Sequence, residues 1–356
     1  MNCLTFPCVT IRMKNAGYVI VRLRRKKRNK GCYDRGDSMR KNEYDKNEVY
    51  ITELKTLIQR EYGLSATCIV PAKRGYYGET WRVDTGDGRY FLKLDDSPQH
   101  QTKYRNSLAV VDYLCASGIN FAGTVVKTKA GELYSTFGSA VLAIFDWING
   151  ENHETDETKI PEYEMLCKVY AVSKPGFHIP QAVFSAEIAS DFFSRWGQLK
   201  TQAANVEAQK VCLLLEQKSD LLRHYAERLQ YFAKCCEKEQ SNFFFTHGDA
   251  GGNLLVGEKA YYIPDWDEVM YAPPERDAWV MCCHQWAVDL FNKTLCENKV
   301  DYELQPHRLA FYCYHMFFYY LVEFLKGFTK GGLQTELEAY FDSWIVERME
   351  YAETIF

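Results

Sequence analysis

The sequence has no Cys-x-x-Cys pair, no internal repeat and no low-complexity tract. Its 13 cysteines are odd in number, and two pairs are adjacent, Cys235-Cys236 and Cys282-Cys283. That is poor geometry for a disulfide framework or a zinc site, so reduced, mostly buried thiols and a cytoplasmic setting are expected. The most apolar stretch, Leu309 to Val322, carries His315 and is too short to cross a bilayer, so no membrane partner is expected. No signal-peptide pattern shows at the N-terminus, where a short apolar stretch contains Pro7 and runs into charge. The patterns G-x-x-x-x-G-K-[ST] and G-x-G-x-x-G are both absent, which leaves P-loop and Rossmann readings without support.

Acid is missing from the first 30 residues, which hold nine Lys and Arg. The 34 basic residues that follow face all 47 acids, so the formal charge of −4 conceals a body of −13. The run Arg22 to Lys30 has no interleaved aromatics and no nucleic-acid motif. Residues 1–45 are therefore expected to be a solvated, poorly ordered extension, with no nucleic acid as partner. A compact pattern begins only after Met39, a candidate start. The fractions of hydrophobic (47%), charged (25%) and aromatic (15%) residues are those of a folded protein with core enough for two lobes.

Val49, Ile51, Leu54, Leu57 and Ile58 fall at helical spacing over 48–62, and Gly63 stops that helix. Strands are predicted at 67–72, 79–85 and 89–94, the last two joined by the turn Gly86-Asp87-Gly88. A helix is expected over 101–116, a second hairpin over 124–128 and 132–136, and a fully apolar strand at 140–144. Residues 151–160 read as a polar loop. Helices are then predicted at 162–173, 186–214, 217–238, 275–297, 302–327 and 334–350, with one strand pair within 254–263. A β-rich part followed by a larger helical part is the α+β pattern.

The sharpest local signal is His247-Gly248-Asp249, then Asn253, then Asp265-Trp266-Asp267. Leu254 to Val256 and Ala260 to Ile263 flank Gly257-Glu258-Lys259 as a hairpin would. Asn253 precedes its first strand and Asp265 follows its second. An antiparallel hairpin then brings an amide oxygen and a carboxylate to one spot, suited to a hard cation such as Mg²⁺. Asp249 can face the same spot, where a carboxylate accepts the proton of a hydroxyl attacking a metal-bound phosphate. For any one of these residues a capping role in a polar turn is the simpler reading; the spaced set is not explained that way. Lys93 lies in the apolar strand Tyr90 to Leu94, which is costly unless it meets an anion. Gly75-Tyr76-Tyr77-Gly78 lies where a glycine turn lets backbone amides approach phosphate, and an ordinary hairpin turn explains it equally well.

Over residues 48–345 this arrangement resembles the aminoglycoside phosphotransferase and choline kinase family, relatives of the protein kinases. The resemblance implies a protein-kinase-like two-lobe α+β fold. Its nucleotide-binding N-lobe, a small antiparallel sheet, would span 46–147, with a hinge near 145–149 and an α-rich C-lobe over 149–356. It implies an ATP- and Mg²⁺-dependent phosphotransferase, with GTP as the other nucleotide open to it, acting on a small-molecule hydroxyl. Asp249 then corresponds to the catalytic base and His247 to the histidine that braces its loop. Asn253 and Asp265 correspond to the metal ligands, and Asp277 to the acid that supports the loop. Lys93, Gly75 and Gly78 correspond to phosphate contacts, and the backbone of Asp146 and Ile148 to adenine contacts. The strand Tyr90 to Leu94, the turn Lys129 to Tyr134 and the hinge look most like the branch holding spectinomycin-type phosphotransferases and CotS-like spore-coat kinases.

The sequence departs from that pattern in places. The family spaces the Asp and Asn by five positions and this chain by four, a loss of about 3.3 Å of reach. Gly251-Gly252 is expected to compensate through positive φ. The helix after Lys93 contains no Glu; the usual position falls near Asn106 or Ser107, Asp112 is its only acid, and Asp95 and Asp96 lie in the loop before it. Pro264 before Asp265 removes a donor at a strand end, which is tolerable. The Ser/Thr-kinase motifs H-R-D and D-F-G are absent. The acceptor is expected beside Asp249, met by Asp267, Glu268 and Tyr271, with Trp266, Trp279, His284, Trp286 and Asp289 as further candidates. Acids with aromatics suit a cationic hydroxylated molecule such as an aminoglycoside, aminocyclitol or amino alcohol. Trp279, Cys282, Cys283, Trp286 and Leu290 also follow helical spacing, for which a core role is the simpler reading. The same departures motivate the alternative of a nucleotide-binding or silent kinase-like scaffold, such as a spore-coat component.

Overall fold

The computed structural model describes residues 48–72, 78–152, 155–202, 205–238, 242–327 and 332–355. The extension expected over 1–45, and Gly75, lie outside the described residues. Helix α1 (Glu48–Tyr62) lays Leu54, Leu57, Ile58 and Tyr62 on a six-stranded antiparallel sheet. The sheet holds β1 (Ala66–Pro71), β2 (Glu79–Thr85) and β3 (Arg89–Asp95). After α2 (Gln101–Ala116) it adds β4 (Val125–Val126), β5 (Ser135–Phe137) and β6 (Ala140–Asp146). Strand order is β1-β2-β3-β6-β4, with β5 also on β6.

The expected hairpin over 124–136 is corrected. Its turn forms, with Thr128 N donating to Glu132 O at 2.9 Å. The strands, however, pair with β6 and not with each other: Val126 opposes Ile144 and Phe137 opposes Ala140. Residues 140–144 are buried throughout, so β6 is central and takes partners on both edges.

The helical lobe runs β7 (Glu151–Asn152), α3 (Asp156–Val172), α4 (Glu187–Lys200), α5 (Val206–Gln217), α6 (Ser219–Glu237) and β8 (Phe244–Thr246). Then come α7 (Ala250–Asn253), β9 (Leu255–Val256), β10 (Tyr261–Tyr262), β11 (Met270–Ala272) and α8 (Glu275–Ala278). It closes with α9 (Gln285–Glu297), α10 (Pro306–Lys326), α11 (Leu333–Phe341) and α12 (Ile345–Glu353). Helix α3 starts inside the segment expected as a loop, because Thr155 and Thr158 form a reciprocal capping box. The helix expected over 186–214 is two helices, since the Asn205 side chain caps α5 through Glu207 N and Ala208 N. Breaks at 279–284 and 342–344 divide two more expected helices.

Three apolar clusters form the core. One lies between α1 and the sheet, and a large one surrounds α10. The third joins the lobes: Tyr104, Leu108 and Val111 of α2 meet Val169 of α3, Phe245 of β8, and Trp266 and Val269. Among the described residues no helix is long and apolar enough to cross a membrane.

Candidate active site

Strand β8 delivers His247 into full burial. Its Nε2 lies 3.0 Å from Pro264 O, and its Nδ1 accepts from Asp249 N at 3.2 Å. A carbonyl only accepts and an amide only donates, so the proton sits on Nε2. Burial lowers the His247 pKa, which keeps this ring neutral. Gly248 takes φ +84°, and a Cβ there would stand 2.2 Å from Arg276 Nη2. Arg276 is fixed by donating to Thr246 O and Glu268 O, both at 3.0 Å. The Asp277 carboxylate accepts from His247 N at 3.2 Å, from Gly248 N, and from the Tyr170 hydroxyl at 2.8 Å. Asp277 thus braces the loop from the start of α8.

Asp249 stands at the N-terminus of α7 and Asn253 ends it. Asn253 Nδ2 donates to Asp249 O at 2.9 Å and to Asp249 Oδ2 at 3.2 Å. The four-residue spacing closes as one helical turn, which places both side chains on one face. This corrects the role expected of Gly251 and Gly252: they lie inside the turn, and neither has positive φ. The β9–β10 hairpin forms with Leu255 opposite Tyr262, so the chain re-emerges beside Asn253 and reaches Asp265. Asp265 adopts φ +70°, uncommon for a residue with a side chain and typical of constrained sites.

Lys93, buried in β3, donates to Asp265 Oδ1 at 2.8 Å and to the Asp267 carboxylate, and stands 5.5 Å over the Tyr104 ring. Helix α2 gives it no acid: Asn106 donates to His178 O, Ser107 to Tyr104 O, and Asp112 pairs with Lys127. Asp95 instead holds His100. The lysine's partners therefore come from the other lobe. Burial opposes ionisation of both acids. The Lys93 charge overcomes it for Asp265, holding that carboxyl below its ordinary value. For Asp267, burial and the neighbouring Asp265 outweigh Lys93 and hold it above.

Three side chains expected to meet the acceptor are reassigned. Residues Trp266–Glu268 form a 3₁₀ turn that aims its acids back at β3 and α2. Asp267 sits on Lys93, and Glu268 bonds Lys103 and stands 3.6 Å from His100 Nε2. Against the cost of burial, His100 and Lys103 hold Glu268 at about 2. Tyr271 donates its hydroxyl to Lys174 O at 2.8 Å and packs on Phe245. Trp266 and Trp279 are core residues, and Trp286 is exposed. Gly78 has a packing reason: at φ +65°, a Cβ would stand 1.8 Å from Leu94 O.

The sequence reading missed two groups. His100, Lys103 and Tyr104 are spaced for one face of α2, a signal that was available. Tyr320 of α10 was hidden in an apolar run. Burial first, and then the charge of Asp249, raise its phenol pKa well above the ordinary value. Trp344 stands edge-on to Tyr320 at 5.6 Å, and Trp279 lies 5.8 Å from Trp344.

A small sheet carrying a buried lysine, set against a helical lobe whose His-Gly-Asp loop folds Asn back on Asp, defines a protein-kinase-like phosphotransferase. Residues 69–312 match the sequence profile of the phosphotransferase enzyme family, APH, and the chain belongs to that family. It is a phosphotransferase. The fold is similar to that of spectinomycin phosphotransferase, solved with ADP and spectinomycin: TM-score 0.65 and 19% identity over 85% of this chain and 97% of that one. A microcompartment-associated aminopropanol kinase aligns at TM-score 0.52 and 15% identity, over 85% and 96% of the two chains. Choline kinase from Cryptosporidium parvum aligns at 0.51 and 11%, over 81% and 90%.

Proposed function

We propose that the chain transfers the terminal phosphate of ATP to a hydroxyl of a small cationic molecule, an aminoglycoside, aminocyclitol or amino alcohol, in the cytoplasm. The observation that carries this reading is the Asp249–Asn253 turn, with Asp265 brought to Lys93 from across the cleft. Asp249 accepts the acceptor's proton, and His247 and Asp277 hold its loop. The amide oxygen of Asn253 and the carboxylate of Asp265 are hard oxygen donors that fit Mg²⁺, which supplies charge neutralisation at the phosphates. Lys93 exchanges a carboxylate for nucleotide phosphate, and the Gly78 backbone is a second phosphate contact. The hinge near 145–149 separates the lobes, 46–147 from 149–356. Asp146 N is already spent on Thr124 O at 3.0 Å, which leaves the Asp146 carbonyl and Ile148 for adenine. On the acceptor side, Tyr320 and Trp344 replace Asp267, Glu268 and Tyr271, since aromatic faces attract ammonium groups. The ligands named for the similar enzymes, spectinomycin and aminopropanol, support an amine-bearing acceptor.

One observation favours a silent scaffold: Lys93 has no acidic partner on α2 and is held by two acids of the 265–268 turn. A panel of hydroxyl compounds with and without amines, assayed with ATP or GTP and with or without Mg²⁺, separates the readings. Mg²⁺-dependent turnover confined to amine-bearing acceptors is expected. Nucleotide binding without turnover on any acceptor would favour the scaffold. No thermal stabilisation by millimolar Mg-ATP would sink both.

A further inference from the structure

Outside the cleft, Cys283, His284 and Glu347 meet where the segment between α8 and α9 packs on α12. One donor atom from each lies within 4.8 Å of the other two. His284 Nε2 and Glu347 Oε2 are 3.9 Å apart. Ligands held tetrahedrally at about 2.0–2.3 Å from Zn²⁺ stand about 3.3–3.8 Å from one another. Small side-chain rotations would therefore close the set. Cys283 and His284 are partly buried and Glu347 is exposed, so an ion can reach them from solvent.

The backbones that carry the ligands are held together. Arg348, fully buried, donates Nε to Val280 O at 2.7 Å and Nη1 to Trp344 O at 2.8 Å. The same Nη1 reaches Glu347 Oε2 at 3.0 Å, the oxygen that faces His284, and a carboxylate oxygen keeps a second lone pair for an ion. Arg348 Nη2 is buried without a hydrogen-bond partner among the described residues.

We propose that Cys283, His284 and Glu347 bind a divalent transition-metal ion of the Zn²⁺ type, with water in the fourth position. A thiolate, an imidazole and a carboxylate together suit Zn²⁺, whereas Mg²⁺ prefers oxygens alone. On binding, the metal replaces the Sγ–H proton, which passes to solvent. The adjacent-cysteine pair looked unsuited to zinc, but only one member is used here; Cys282 lies in the core. The ion would clasp α12 to the segment that follows α8, the helix whose Asp277 braces the catalytic loop.

Co²⁺ titration of the metal-free full chain tests this site. The wild type should show near-ultraviolet thiolate-to-metal absorption that Zn²⁺ displaces. Cys283→Ser should abolish the band, while Cys296→Ser, at an exposed thiol elsewhere, should keep it. His284→Ala or Glu347→Gln should weaken Co²⁺ binding by roughly tenfold or more. Glu347 is exposed, so its variant tests the site with little risk to folding. No band in the wild type, a band that survives Cys283→Ser, or an affinity that Glu347→Gln leaves unchanged would overturn the three-residue site.

Discussion

At Gly248 the backbone takes φ +84° under the Arg276 guanidinium, so a methyl group has neither the conformation nor the space it needs. Gly248→Ala should lower unfolding free energy by about 1–3 kcal/mol, read from denaturant midpoints. Glu275 makes a second residue-scale prediction. Burial pushes its carboxyl up to about 7, against the hydrogen bonds it accepts from Gln305 N and Tyr302. The folded state then holds a proton that the unfolded chain releases near its ordinary value of 4.5. Stability from this group is complete below that value and is lost as pH rises toward 7. Glu275→Gln should remove that falling component of Tm between pH 4.5 and 7, and an unchanged profile would contradict it. The pairings of Lys93 with Asp265 and of Asp249 with His247 and Asn253 lie among residues the sequence had singled out, because their spacing is written along the chain. The directions of Asp267, Glu268 and Tyr271 were not, since a 3₁₀ turn and the facing α2 decide them.

The elements that matter most are α2 and the 265–268 turn, which carry the interlobe contacts of Lys93, His100 and Lys103. The α2 contacts respond to pH in two senses. Glu268 is held low, so its contribution is present above 4.5 and is lost as pH falls toward 2. His100 lies above its ordinary 6.5 because Glu268 and Asp95 outweigh its burial; its contribution is present below 6.5 and is lost as pH rises through the raised value. The latch is complete between those limits. Glu268→Gln should therefore speed amide exchange in α2 near pH 6 and much less at pH 3. Glu268 is partly exposed, so the stability cost should stay below about 1 kcal/mol. Long elements such as α1, α2 and β6 were legible because period and length reinforce each other. The β8–β11 pair and the addition of β7 to the expected β9–β10 hairpin were not, because strands of two or three residues carry no readable period.

On the scale of the molecule, the body of −13 surrounds a cleft that gathers Lys93, Lys103 and Arg276 near the acids of the catalytic segment. The two-lobe plan was legible from the shift between β-rich and helical sequence. The proposed acceptor wall was not, because Tyr320 and Trp344 come from helices that read as core. Tyr320→Ala should raise the acceptor KM more than the nucleotide KM, as steady-state kinetics with each substrate varied would show. The central claim is that Asp249 acts as the base of a phosphoryl transfer in this cleft. Its most direct test is Asp249→Asn, followed by Mg-ATP thermal stabilisation and acceptor phosphorylation on the same preparation. The variant should keep the stabilisation and lose turnover by about 10²–10⁴-fold. Wild-type turnover in the variant would contradict the account.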